Sequence, residues 1–139
     1  MTPLLIEGYA ALFGVPDLAG DIVRAGAFSK SLSRAPPPQN IRMLLQHRAG
    51  AIAGRWTRMI EDGRGLYVRG LIESESGKHL ATRGVDGLSI GFRPRLWKPR
   101  TREGRDLIEI DLVEVSLVAE PMQPRARFSL LGTAQTRAA

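Results

Sequence analysis

Apolar and polar positions alternate with a period of two along most of this chain, the pattern of half-buried strands. It predicts strands over residues 4–13, 22–24, 41–47, 51–61, 65–73, 85–98 and 106–118. Tyr9 and Phe13 anchor the first, and Ile52 and Trp56 the fourth. In the fifth, Leu66 and Val68 take one face and Tyr67 the other. Asp62-Gly63 between the fourth and fifth is a hairpin signal. In the last, Ile108, Ile110 and Leu112 oppose Glu109 and Asp111 before a run rich in β-branched residues, 113–118.

Two segments break the alternation and read as helices. Residues 25–34 place Phe28 and Leu32 four apart, on one apolar face expected to be exposed and to serve self-association, and Pro36 ends the segment. Residues 75–82 follow Ser74, an N-cap, and stop at Gly84. The Pro-rich residues 35–40 are expected to form a mobile loop, and Gly104 to mark a bend in 99–105. Pro121 and Pro124 end the last strand. Residues 132–139 are small and polar and are expected to be a disordered tail, leaving 1–131 as one domain. The expected fold is mainly β with short helices (α+β): a small closed or partly open β-barrel of six to seven strands with peripheral helices.

Composition narrows the chemistry. The 139 residues contain no Cys, which excludes disulfides, a thiolate nucleophile and a Cys-ligated metal. The two histidines lack metal-site spacing, so neither metal nor cofactor is expected. No apolar run is long enough to span a bilayer, and residues 1–7 do not have the make-up of a secretory leader. The net charge of +6 raises the question of nucleic acid. The basic residues are scattered, however, nearly all are Arg, and Lys occurs only at Lys30, Lys78 and Lys98. With no helix-turn-helix, zinc-finger or aromatic RNA-binding signature, nucleic-acid binding is not expected.

Candidate chemistry centres on residues 84–95. Leu88, Ile90 and Phe92 can face a core, while Gly87, Ser89 and Gly91 share the opposite face. Glycine on both sides of a lone serine leaves the hydroxyl uncovered and lets a neighbour come close; a tightly packed strand crossing would look the same. His47 stands at the end of an apolar strand beside the loop Arg48-Ala49-Gly50. His79 lies in a predicted helix near Lys78 and Arg83 and reads as a surface residue. Asp111 and Glu114 put carboxylates into a strand otherwise made for burial, which is costly without a partner. A histidine ring N–H is one such partner, and an arginine is another. His47, Ser89 and Glu114, each on a different strand-like segment, make up the parts of a nucleophile, base and orienting acid, with Asp111 as rival for the acid.

Six motifs in order carry a family resemblance. They are Gly8-Tyr9-Ala10 with Phe13-Gly14, Gly20-Asp21-Ile22-Val23 with Gly26-Ala27-Phe28, Leu45-Gln46-His47, Gly65-Leu66-Tyr67-Val68, Gly87-Leu88-Ser89-Ile90-Gly91-Phe92 and Glu114-Val115-Ser116-Leu117-Val118. Together they resemble the tailed-phage prohead serine proteases, which are distantly similar to herpesvirus assemblin. The resemblance implies a β-barrel serine endopeptidase with His47 as base, Ser89 as nucleophile and Glu114 as third member, where assemblin has a second histidine. It implies cleavage of the major capsid protein or its scaffold segment, self-cleavage, and a homo-oligomer working inside the assembling prohead in the host cytoplasm. Assemblin's paired oxyanion arginines have no counterpart in Ala119-Glu120-Pro121-Met122; Arg93, Arg125 and Arg127 are substitutes to weigh, and the oxyanion site is left unassigned. The competing expectation is a catalytically silent barrel that binds capsid protein or nucleic acid.

Overall fold

The computed structural model describes residues 2–34, 40–100 and 103–133. The Pro-rich link expected to be mobile lies almost wholly outside them, as do residues 134–139 of the expected tail. One eight-stranded sheet dominates: β1 (Leu4–Leu12), β2 (Ile22–Val23), β3 (Arg42–Leu45), β4 (Arg48–Glu61), β5 (Gly65–Ile72), β6 (Gly87–Pro99), β7 (Arg105–Val118) and β8 (Phe128–Thr133). Among the described residues two short helices, α1 (Ser29–Arg34) and α2 (Glu75–Thr82), accompany it.

The sheet runs β7-β3-β4-β5-β1-β8, with β6 along one side of β7 and the short β2 paired to β7 at Asp106 and Leu107, away from the stretch 114–117 that pairs with β3. The ends of this path approach each other without closing. Where β6 begins, a bridge joins Gly87 to Arg127, Leu88 N–H donates to Ala126 O at 2.9 Å and Phe128 N–H to Asp86 O at 2.8 Å. Those bonds stitch one end of the seam. The sheet therefore stays open, and full barrel closure is not part of the fold.

The core follows the alternation. Ile6, Leu66, Val68, Ile72, Leu88, Leu107, Ile110, Val115 and Leu117 are essentially inaccessible to solvent. Trp56 joins them and donates its indole N–H to Val115 O at 3.3 Å. Ile52, expected as its fellow anchor, is exposed. The β3–β4 register passes from Met43↔Gly54 to Leu44↔Ile52, so Ala53 is an extra residue and inverts the faces of β4 there.

Three further expectations are corrected. The first helix begins at Ser29, four residues later than its pattern suggests, because Gly26 takes φ +90°. The Glu61 carboxylate caps it by accepting from Phe28 N–H and the Ser29 hydroxyl. Phe28 is fully buried beside Phe13, and Leu32 packs on the core, so this helix offers no free apolar face for self-association. Finally, β8 is an eighth strand that reaches Thr133, so Gly132 and Thr133 are not tail. By contrast α2 occupies the expected residues, with Ser74 Oγ accepting from Gly77 N–H at 2.9 Å and Gly84 at φ +97° just beyond.

Candidate active site

The strand pair β6–β7 sets out the site. Ser89 lies opposite Ser116 and Gly91 opposite Glu114, so these four share one face. Leu88 and Ile90 lie opposite Leu117 and Val115 on the core face. The pairing then passes from Gly91↔Glu114 to Phe92↔Leu112, leaving Val113 as a bulge. The bulge changes the parity of β7: Ile110 and Leu112 face the core before it, Val115 and Leu117 after it. Plain alternation puts Asp111 and Glu114 on opposite faces; with the bulge both turn away from the core.

What separates the two acids is their partners. Asp111 is held by Arg34 at 2.5 Å and Arg95 at 3.2 Å. Glu114, buried, places Oε2 2.6 Å from His47 Nδ1, and its Oε1 accepts from Ser116 Oγ at 2.6 Å. Both of its oxygens are thus engaged.

His47 comes to Glu114 from a two-residue hairpin tip. Leu45 pairs with Arg48, and between them Gln46 and His47 have φ +50° and +61°. Such turns favour Asn-Gly, and left-handed backbone costs a bulkier residue on the order of 1 kcal/mol. Here β7 holds the tip in place. Gln46 N–H donates to Leu117 O at 3.0 Å, His47 N–H to Ser116 Oγ at 3.1 Å, and Ala119 N–H to Gln46 Oε1 at 3.3 Å. Two adjacent non-glycine residues are thus held in this region, one of them a histidine on a carboxylate. His79 is exposed on α2, as expected.

Ser89 and His47 line one cavity of about 270 Å³ beside the open seam. Its apolar wall includes Ala10, Val23, Leu88, Ile90, Phe92 and Leu107. Ser89 is only 8% exposed, and among the described residues no hydrogen bond holds its hydroxyl. At the polar end, Arg105 is bound to Asp21 at 2.8 Å, which raises the guanidinium pKa, and burial raises the carboxyl pKa of Asp17. Gln123 fastens another wall by accepting from Leu12 N–H at 2.6 Å and donating to Leu12 O at 3.0 Å. Neither Arg93, Arg125 nor Arg127 lines this cavity, and Arg127 is spent on Asp86 and Pro124 O. Arg105 and Gln123 carry no signal in the sequence, and Ser116 stands there only as part of a family motif. Pairing of β6 with β7 is the signal that could have found Ser116, since it brings Ser116 opposite Ser89.

Gly91 has a specific reason to be glycine. A β-carbon there would sit 2.1 Å from Glu114 Oε2, whereas at Gly87 it would meet Val118 O at 2.5 Å and Pro121 Cδ at 2.8 Å. One glycine admits a carboxylate, the other a close backbone approach. A carboxylate end can move, so Gly91→Ala is expected to fold while pushing Glu114 off His47. Displacements of about 1 Å cost on the order of 100-fold in turnover. Turnover beside circular dichroism checks this, and full activity in the folded variant would show that the spacing is irrelevant.

Solved structures carry the same fold. The bacteriophage T4 capsid assembly protease superposes with a TM-score of 0.69 at 16% identity, over 84% of this chain and 81% of that one. The varicella-zoster virus protease does so with a TM-score of 0.62 at 16% identity, over 92% and 64%. In sequence, the prohead protease of Enterobacteria phage HK97 is 38% identical over 95 residues, 63% of this chain and 41% of that protein. The chain thus spans about two fifths of the length of this curated relative. The model of the caudovirus prohead serine protease family matches residues 2–137, and the chain belongs to that family.

Proposed function

We propose that the chain is a serine endopeptidase of capsid maturation, with Ser89 as nucleophile, His47 as general base and Glu114 as orienting acid. The observation that carries the reading is the 2.6 Å contact between Glu114 Oε2 and His47 Nδ1 at the rim of a cavity that Ser89 also lines. With Nδ1–H donated to Glu114, Nε2 is left free to take the Ser89 proton as Oγ attacks a peptide carbonyl. The imidazolium then formed is stabilised by Glu114 and returns its proton to the leaving amine. A water attacks the acyl-enzyme by the same route and frees Ser89. The hairpin tip keeps the imidazole at the rim, half-exposed, where a substrate chain can reach it.

The substrate is the major capsid protein or its scaffold segment, and the same chemistry turned on the chain itself gives self-cleavage. The site of action is the assembling prohead in a bacterial host. Among the described residues no helix is long and apolar enough to cross a membrane. A homo-oligomer, if formed, uses a surface other than the buried side of α1.

A labelled alkyl fluorophosphonate tests the reading. One equivalent is expected on Ser89, located by peptide mass, with none on His47→Ala in the same time. Label on another serine, or none on the folded chain, would overturn it.

A further inference from the structure

Ser116 is the most deeply placed polar side chain of this region, with no exposed surface. A hydroxyl buried so completely needs partners, and both of its partners belong to the histidine–carboxylate pair. Its Oγ donates to Glu114 Oε1 at 2.6 Å and accepts from the backbone N–H of His47 at 3.1 Å. The first bond occupies the carboxylate oxygen that His47 leaves free, so Glu114 cannot rotate without losing one bond or the other. The second pins the backbone of a residue held at φ +61°.

We infer that Ser116 is a positioning residue, fixing the Glu114 carboxylate and the His47 turn in one register; this rests on the Ser89–His47–Glu114 reading above. Ser116 itself meets neither substrate nor the reacting atoms. Without its hydroxyl, Glu114 Oε1 loses a charge-assisted bond and His47 N–H loses its acceptor. Fewer molecules then hold the imidazole where it can serve Ser89. Loss of two such bonds corresponds to about 10- to 100-fold in the chemical step.

A matched control bonds to the same strand from α1. Ser31 is 7% exposed, and its Oγ accepts from Leu112 N–H of β7 at 2.8 Å, on the α1 side. Ser31→Ala removes the same atoms from a comparable bond to β7 without touching the histidine–carboxylate pair.

The experiment reacts the purified chain with the alkyl fluorophosphonate. The Ser89 Oγ–P bond forms, the P–F bond breaks, fluoride leaves, and the serine proton passes to His47. Limiting labelling rate, half-saturating probe concentration and melting temperature are measured for wild type, Ser116→Ala, Ser31→Ala and Ser89→Ala. Ser116→Ala is expected to lower the limiting rate about 10- to 100-fold while the half-saturating concentration stays within about twofold, with the label still on Ser89. Ser31→Ala is expected to melt lower as well yet label at the wild-type rate. The downfield proton resonance of His47 Nδ1–H is expected to weaken in Ser116→Ala and persist in Ser31→Ala. Should Ser116→Ala not fold, Ser116→Cys, similar in size with a weaker donor, replaces it, with a smaller loss expected in the same direction. A wild-type limiting rate in the folded Ser116 variant overturns the inference and leaves the Ser89 assignment standing. Undiminished labelling of Ser89→Ala overturns that assignment instead.

Discussion

Ser89→Ala is expected to lose turnover by on the order of 10⁴- to 10⁶-fold while its melting temperature barely moves. The kinetic scale is that of nucleophile removal in other serine proteases, where binding and oxyanion contacts leave only a residual rate. The stability argument comes from this chain. Among the described residues the Ser89 hydroxyl has no hydrogen-bond partner, so its removal orphans nothing. The β-carbon stays, and the backbone of β6 remains paired to β7 at Ser116. The cost should lie within about 1 kcal/mol of zero. Cleavage of a capsid-derived substrate, melting temperature and fluorophosphonate labelling of the same preparation check the two halves separately. Wild-type cleavage by the folded variant would remove Ser89 from the mechanism. A large fall in melting temperature would instead mean that the hydroxyl is structural.

The parts of this molecule legible in its sequence are those governed by local rules. Strict alternation gave the faces of β5, and Ser74 with Gly84 gave both ends of α2, because capping and turn chemistry act within a few residues. The elements that escaped depend on distant partners. β8 has an edge strand's weak pattern, with Phe128 buried and the rest exposed or half-buried, and its pairing with β1 supplies what its sequence lacks. The tip at Gln46 and His47 carries no Asn-Gly signal, since contacts from β7 hold it where its own propensity does not. Ser116 reads as one more small residue in a β-branched run until β6 and β3 are laid beside it. The three residues His47, Ser89 and Glu114 could be picked out as candidates because each is chemically out of place in its own segment. The contact of His47 with Glu114, and the cavity that His47 shares with Ser89, belong to the tertiary fold.

The bulge at Val113 changes how the acid must be tested. Alternation alone would exclude either Asp111 or Glu114 by face; in the structure both turn from the core, opposite Arg93 and Gly91 of β6, about 7 Å apart along the sheet at strand rise. Reach and partners then decide. Asp111 carries two arginines, one from α1 and one from β6, so Asp111→Asn weakens exposed ion pairs worth at most about 1 kcal/mol each. Glu114→Gln keeps the volume and removes the charge from a buried group bonded to His47 and Ser116. An amide in that place offers either N–H or O to His47 Nδ1. When N–H faces the ring, it favours the wrong tautomer and puts a proton on the nitrogen that should take one from Ser89. Even with O facing the ring, the imidazolium formed during attack has lost its counter-charge. The equivalent acid-to-amide change in another serine triad costs about 10⁴ in turnover, and a loss of about 10³- to 10⁴-fold is expected here on the same grounds. Asp111→Asn should stay within about twofold of wild type, since it alters only exposed pairs outside the site. Turnover of the two variants side by side, with circular dichroism on each, is the measurement. Near-normal turnover in Glu114→Gln together with an inactive, folded Asp111→Asn would transfer the role to Asp111 and require the His47 hairpin to move toward α1.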